Sequence, residues 1–121
     1  MWVFNQDGFF SAVQDENDSG TLLVRARCRL DLERFCSAVE GVVEGDIIET
    51  KDSDYPCRVF VPREVFAQYL VDQTMDLDYP NFKNQLKDIG EPSHRLDAMM
   101  AIWGVMRRFQ DKEADARKLR E

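Results

Sequence analysis

Arg25, Arg27 and Arg58 are the side chains whose type and spacing best suit chemistry, because they recur at every second position in two strictly alternating stretches. In Thr21 to Cys28, Leu22, Val24, Ala26 and Cys28 share one side, and Leu23, Arg25 and Arg27 share the other. Cys57 to Val61 repeats the pattern, with Cys57, Val59 and Val61 set against Arg58 and Phe60. Successive strand residues point to opposite faces, so the two stretches predict a half-buried sheet with an apolar side and a guanidinium-bearing side. Arginines interleaved with an aromatic ring can stack bases and pair with phosphates or other anions. The plainer reading is that the arginine stems pack while their heads pair with carboxylates. Phe9 or Phe10 joins this face, depending on strand pairing.

His94 lies between Glu91 and Asp97 and has the chemistry of a general base. No nucleophile accompanies it: the chain lacks G-x-S-x-G, a phosphate-cradling glycine loop and H-E-x-x-H. A small hydrolase or transferase using His94 is therefore an alternative, and a solvent-exposed histidine at a helix start is the plain reading. No cofactor is expected. No metal site is expected either, since His94 is the single histidine and no second ligand stands near it in sequence. Tyr79-Pro80-Asn81-Phe82-Lys83 places two rings around a proline just before a helix start, and reads as a connector anchored by Phe82.

The formal charge is −7. Acidic residues cluster at Asp15, Glu16 and Asp18, at Glu44, Asp46, Glu49, Asp52 and Asp54, and at Asp72, Asp76 and Asp78. Such a surface disfavours broad attraction to nucleic acid or an anionic membrane. It suits solubility, or a basic protein partner met by Asp46, Glu49, Asp52 and Asp54. Cys28, Cys36 and Cys57 are odd in number and lack C-x-x-C spacing, as expected of free thiols in a reducing cytoplasm. The amino-terminal residues have no basic region followed by a long apolar run, and no segment approaches membrane-spanning length.

These residues need elements to hold them. With 121 residues, of which 44% are hydrophobic and 32% charged, the chain is long enough for one hydrophobic core. Met1 to Phe4 and Phe9 to Gln14 form a hairpin across Asp7-Gly8, and Thr21 to Cys28 extends it into a meander. Leu32, Phe35, Cys36 and Val39 set a helical period from Asp31 onward, with Asp31 capping it or favouring its positive end. Asp46 to Thr50 and Tyr55 to Val61 are the next strands. Pro62 to about Met75 is the second helix, buried through Val65, Phe66, Tyr69 and Leu70. A short helix surrounds Phe82 and Leu86, and a long one follows Ser93. In the long helix Leu96, Met99, Met100, Trp103, Met106 and Phe109, widened by Ile102 and Val105, form an apolar stripe. That stripe is assigned to the core, with a homodimer through residues 96-109 as the alternative.

The strand and helix order from Thr21 matches most of a split β-α-β unit. The expected fold is α+β: an antiparallel sheet with a ferredoxin-like core, an N-terminal hairpin and added C-terminal helices. One domain is expected over 1-110, with 111-121 as a charged helix end or tail. Met1-Trp2-Val3-Phe4, Gly8-Phe9-Phe10-Ser11, Leu23-Val24-Arg25-Ala26-Arg27, Tyr79-Pro80-Asn81-Phe82-Lys83 and Ile102-Trp103-Gly104-Val105-Met106 together resemble a family of short, uncharacterised bacterial and phage proteins. The resemblance spans nearly the whole chain and implies a bacterial or phage setting, with no site residues to carry over. The functional expectation is a small acidic cytoplasmic binding module without enzymatic activity, an adaptor or inhibitor whose carboxylates imitate nucleic-acid charge before a protein partner. The alternative is binding of single-stranded nucleic acid or another anionic ligand on the Arg25, Arg27, Arg58 and Phe60 face.

Overall fold

The computed structural model describes residues 1–120 and is α+β, with a five-stranded antiparallel sheet and four helices. The chain divides into two compact units, Met1–Asp78 and Tyr79–Glu121.

The first unit contains the sheet. β1 (Trp2–Asn5), β2 (Gly8–Asp15) and β3 (Asp18–Ala26) form the expected meander. After α1 (Arg29–Ala38) and a 3-10 turn at Glu44–Asp46 come β4 (Ile48–Glu49), β5 (Cys57–Pro62) and α2 (Arg63–Met75). The strand order is β1-β2-β3-β5-β4. β3 begins before Thr21 and stops at Ala26, so Arg27 and Cys28 lie beyond its end. The strand expected over Asp46 to Thr50 shrinks to two residues, because Asp46 closes the 3-10 turn instead.

Both main helices contact the sheet strands, and they bury one sheet face. Phe10, Val24, Val59 and Val61 from the strands meet Leu32 and Phe35 of α1 and Phe66 and Tyr69 of α2 in one core. Rings dominate it: Phe35 lies 4.8 Å from Tyr69 and 5.9 Å from Phe10, centroid to centroid. Such tilted and edge-on contacts add to the burial of apolar area.

The β1–β2 turn is tied to both helices. Asn5 Oδ1 accepts the backbone N–H groups of Asp7 (2.9 Å) and Gly8 (3.3 Å). Tyr69 of α2 donates its hydroxyl to Asp7 Oδ2 at 2.6 Å and accepts from Asn5 Nδ2 at 2.9 Å. Asp31 was expected to cap α1 or favour its positive end; the cap position belongs to Cys28, while Asp31 lies in the first turn and its buried carboxylate accepts the Phe9 N–H at 3.2 Å. Gly8 has φ of +150°, and a Cβ there would overlap the Asp31 carboxyl. The turn therefore requires glycine both for its backbone and for its space.

In the second unit, Asn81 caps α3 (Phe82–Asp88) by accepting the Asn84 N–H at 2.9 Å. Tyr79 and Phe82 contact each other with centroids 6.0 Å apart, Phe82 is half-buried, and Leu86 is the fully buried residue of this helix. α4 (Ser93–Arg120) is one unbroken helix that runs through the charged residues past 110. Its apolar stripe corrects the core assignment. Met99 is buried, but Trp103 is 63% exposed, Met106 55% and Phe109 54%, with Ile102 and Val105 also exposed. Helical spacing marks an apolar side without saying what meets it.

Candidate anion-binding face of the sheet

On the sheet face opposite the core, the strand register lines up one row of side chains across all five strands. Trp2 pairs with Ser11, Ser11 with Arg25, Arg25 with Arg58 and Arg58 with Ile48. Residues directly opposite one another share a face, so Arg25 and Arg58 occupy opposed strand positions at the centre of this row. Apolar side chains flank them. Val13, Leu23 and Phe60 form the neighbouring row, and on the other side Phe9 contacts Trp2 at 5.7 Å and Phe4 at 6.3 Å.

The arginines are held by neutral groups. Arg25 Nη2 donates to Ser11 Oγ at 2.8 Å, and Arg58 Nη2 donates to Ser53 Oγ at 3.1 Å. The buried ring of Tyr55 lies 4.6 Å from the Arg25 guanidinium carbon and 4.2 Å from that of Arg27, within cation–π range of both. Arg27 has its own counter-charge: it donates to Asp54 Oδ1 at 2.7 Å and to the Asp54 carbonyl at 2.6 Å. That hydrogen bond holds its guanidinium above the ordinary arginine range.

Arg25 and Arg58 differ from Arg27 in one respect. Among the described residues neither forms an ion pair with a carboxylate, and the Nε of each is buried without a hydrogen-bond partner. Like charges opposite each other on neighbouring strands destabilise a sheet, and an unpartnered buried donor adds to the cost. An anion lying over the row would offset the first. Planar guanidinium groups suit carboxylate and phosphate oxygens, and the flanking rings suit an apolar body attached to them.

The predicted residues thus separate. Arg25 and Arg58 are opposed in register, Phe60 (46% exposed) lies in the adjoining row, and Arg27, beyond the end of β3, shares the Tyr55 ring with Arg25 and pairs with Asp54. Phe9 belongs to this face and Phe10 to the core. Sequence reasoning missed Trp2, Ser11, Ser53 and Tyr55. Alternation within β1 and β2 carried the signal for Trp2 and Ser11, but only the register puts them in the arginine row.

The acidic residues are largely engaged inside the chain. Asp46 Oδ2 accepts the Val43 N–H at 3.0 Å, Glu49 pairs with Arg29 at 2.8 Å, and Asp54 pairs with Arg27. Asp52 is exposed in a turn with φ of 64°. His94 is exposed in the first turn of α4, and the neighbouring Glu91 is committed to Arg95 at 2.5 Å, an ion pair with little exposure on either side. The first unit carries surface grooves. One, of about 450 Å³, runs between α1 and α2 along Glu40, Glu64, Gln68 and Asp72, and a smaller one follows Ser37 and Val43; His94 lines neither. Among the described residues no group of three His, Cys, Asp or Glu could hold a metal ion, and no helix is long and apolar enough to cross a membrane. Burial pushes the Cys36 and Cys57 thiols up, with nearby carboxylates adding to the shift, which makes them poor nucleophiles.

No protein-family model, curated protein or solved structure matches the chain.

Proposed function

We propose that this chain is a binding module without enzymatic activity that takes a small anionic ligand on the Arg25 and Arg58 row of its sheet. The observation that carries this reading is the pair of arginines on opposed strand positions, neither in an ion pair with a carboxylate among the described residues. A ligand with one or two carboxylate or phosphate groups on an apolar body suits the row better than a polynucleotide. Residues 1–78 carry seven Lys or Arg against sixteen Asp or Glu, and this balance of −9 repels a long polyanion. The acidic-surface alternative draws less support, since three of the four carboxylates named for it already have partners within the chain.

The fold reading that accompanies this proposal is ferredoxin-like. β5 lies antiparallel between β3 and β4, so the strands joined through α1 run parallel without touching, as a split β-α-β unit requires. The bacterial or phage setting implied by the resemblance, and a cytoplasmic location, fit a chain of free thiols.

Calorimetric titration with phenyl phosphate, inorganic phosphate and a short oligothymidylate tests the reading. Phenyl phosphate is expected to bind more tightly than inorganic phosphate. Replacing Arg25 or Arg58 with methionine should weaken binding by at least tenfold, while Arg27→Met should change it little. Equal binding by the wild type and the Arg58→Met variant would overturn it, as would a preference for the oligonucleotide.

A further inference from the structure

We infer that the apolar stripe of α4 is a self-association surface, occupied by α4 of a second copy lying antiparallel to it. The inference is independent of the arginine row. Met99, Ile102, Met106 and Phe109 follow one another at spacings of three, four and three residues, the alternation that keeps one seam facing a partner helix. Of these, Met99 is already buried, whereas Ile102, Met106 and Phe109 are exposed, with Trp103 and Val105 beside them.

The area is sufficient for a symmetric pair. Scaling the exposed fractions by the size of these side chains gives about 500 Å² of apolar surface per copy. Two copies would remove about 1,000 Å² from water, near the lower bound for a specific interface. A contact of that size is expected to dissociate in the micromolar range.

Charge selects the orientation. The stripe is followed by Lys112, Glu113 and Arg117 in the same helix. In a parallel pair Glu113 would face Glu113 of the other copy across the seam, and Lys112 would flank Arg117, both repulsive. An antiparallel pair about a two-fold axis near Met106 sets Phe109 against Trp103, holds the two Glu113 residues about 20 Å apart along the seam and opposes the two helix dipoles. The length and continuity of α4, from Ser93 to Arg120, allow this overlap. A lipid surface is a less suitable occupant, because charged residues continue around the helix after Phe109 with both signs mixed.

Sedimentation equilibrium of the full chain is the first test. A monomer–dimer equilibrium is expected, and Met106→Glu should shift it at least tenfold towards monomer with an unchanged far-ultraviolet circular dichroism spectrum, since Met106 is exposed. Spin labels at Leu119→Cys, in a chain also carrying Cys28→Ser, report the orientation. At 1.5 Å rise per residue they should lie about 40 Å apart in the antiparallel pair and about 10–15 Å apart in a parallel one. A monomer at millimolar concentration, with or without binding to anionic vesicles, would overturn the inference. So would a dimer that tolerates Met106→Glu, or a short label distance.

Discussion

Replacing Arg58 with methionine should make the protein more stable, and the size of the gain follows from the arrangement of the row. Arg25 and Arg58 are directly opposed on β3 and β5. Charges kept at the Cα spacing of an opposed pair, about 5.5 Å, would repel by about 3 kcal/mol at an effective dielectric of about 20, an upper bound because Arg25 reaches to Ser11 and Arg58 to Ser53. Partial exposure and salt reduce it to roughly 1 kcal/mol. Arg58→Met also removes the buried Nε that has no partner, a relief of about 1–2 kcal/mol. Against this stands the hydrogen bond to Ser53, worth about 1.5 kcal/mol for a charged donor. Ser53 Oγ keeps its bond to the Tyr55 carbonyl, so no new orphan is created. The net expectation is a gain of about 1 kcal/mol, or about 4 °C in melting temperature for a chain of this size. Arg25→Met should behave similarly, but the double variant should gain less than the sum, by about the repulsion energy, because either change alone removes it. Urea denaturation of the four proteins in low-phosphate buffer measures this cycle. Strict additivity, or single variants that are destabilised by more than about 1 kcal/mol, would refute the uncompensated-charge reasoning.

Gly8→Ala should cost about 3 kcal/mol in urea denaturation, since it combines a positive φ with overlap of the Asp31 carboxyl. Tyr69→Phe should cost about 1–2 kcal/mol, because the hydroxyl links Asp7 and Asn5. The Tyr69 hydroxyl is held far above its ordinary value near 10 by burial first and then by its bond to Asp7. The folded state therefore retains a proton that the unfolded chain releases, and stability should be intact below pH 10 and fall by about 1.4 kcal/mol per unit above it, with this slope lost in Tyr69→Phe. Glu91→Ala should cost about 3 kcal/mol, seen as a lower melting temperature, because it removes the buried carboxylate that Arg95 pairs with where only 11% of the Arg95 side chain is exposed.

Where residues alternate or recur over several turns, sequence and structure agree. Val24 and Val59 oppose each other on the core face, as their alternation implies, and Phe66 and Tyr69 of α2 fill the core through the stripe read for them. Asp31 lies in the first turn of α1, where it favours the positive end as read, but its bond to the Phe9 N–H was not legible, because helix-start chemistry is local and Phe9 lies 22 residues away. The arginine face was legible as a face, but not as a site. Alternation gave Arg25, Arg27 and Arg58 equal standing, and the end of β3 at Ala26 separates Arg27 from the other two.

The sequence by itself determined which segments become strands and helices and which side of each is apolar, because both properties depend on residues a few positions apart. Only the tertiary structure decided that Arg25 meets Arg58 without a carboxylate, that Tyr55 lies against two arginines, and that the apolar side of α4 is left exposed beyond Met99. Those outcomes depend on strand register and on which surfaces remain after the core is filled, and neither is encoded in the spacing of neighbouring residues.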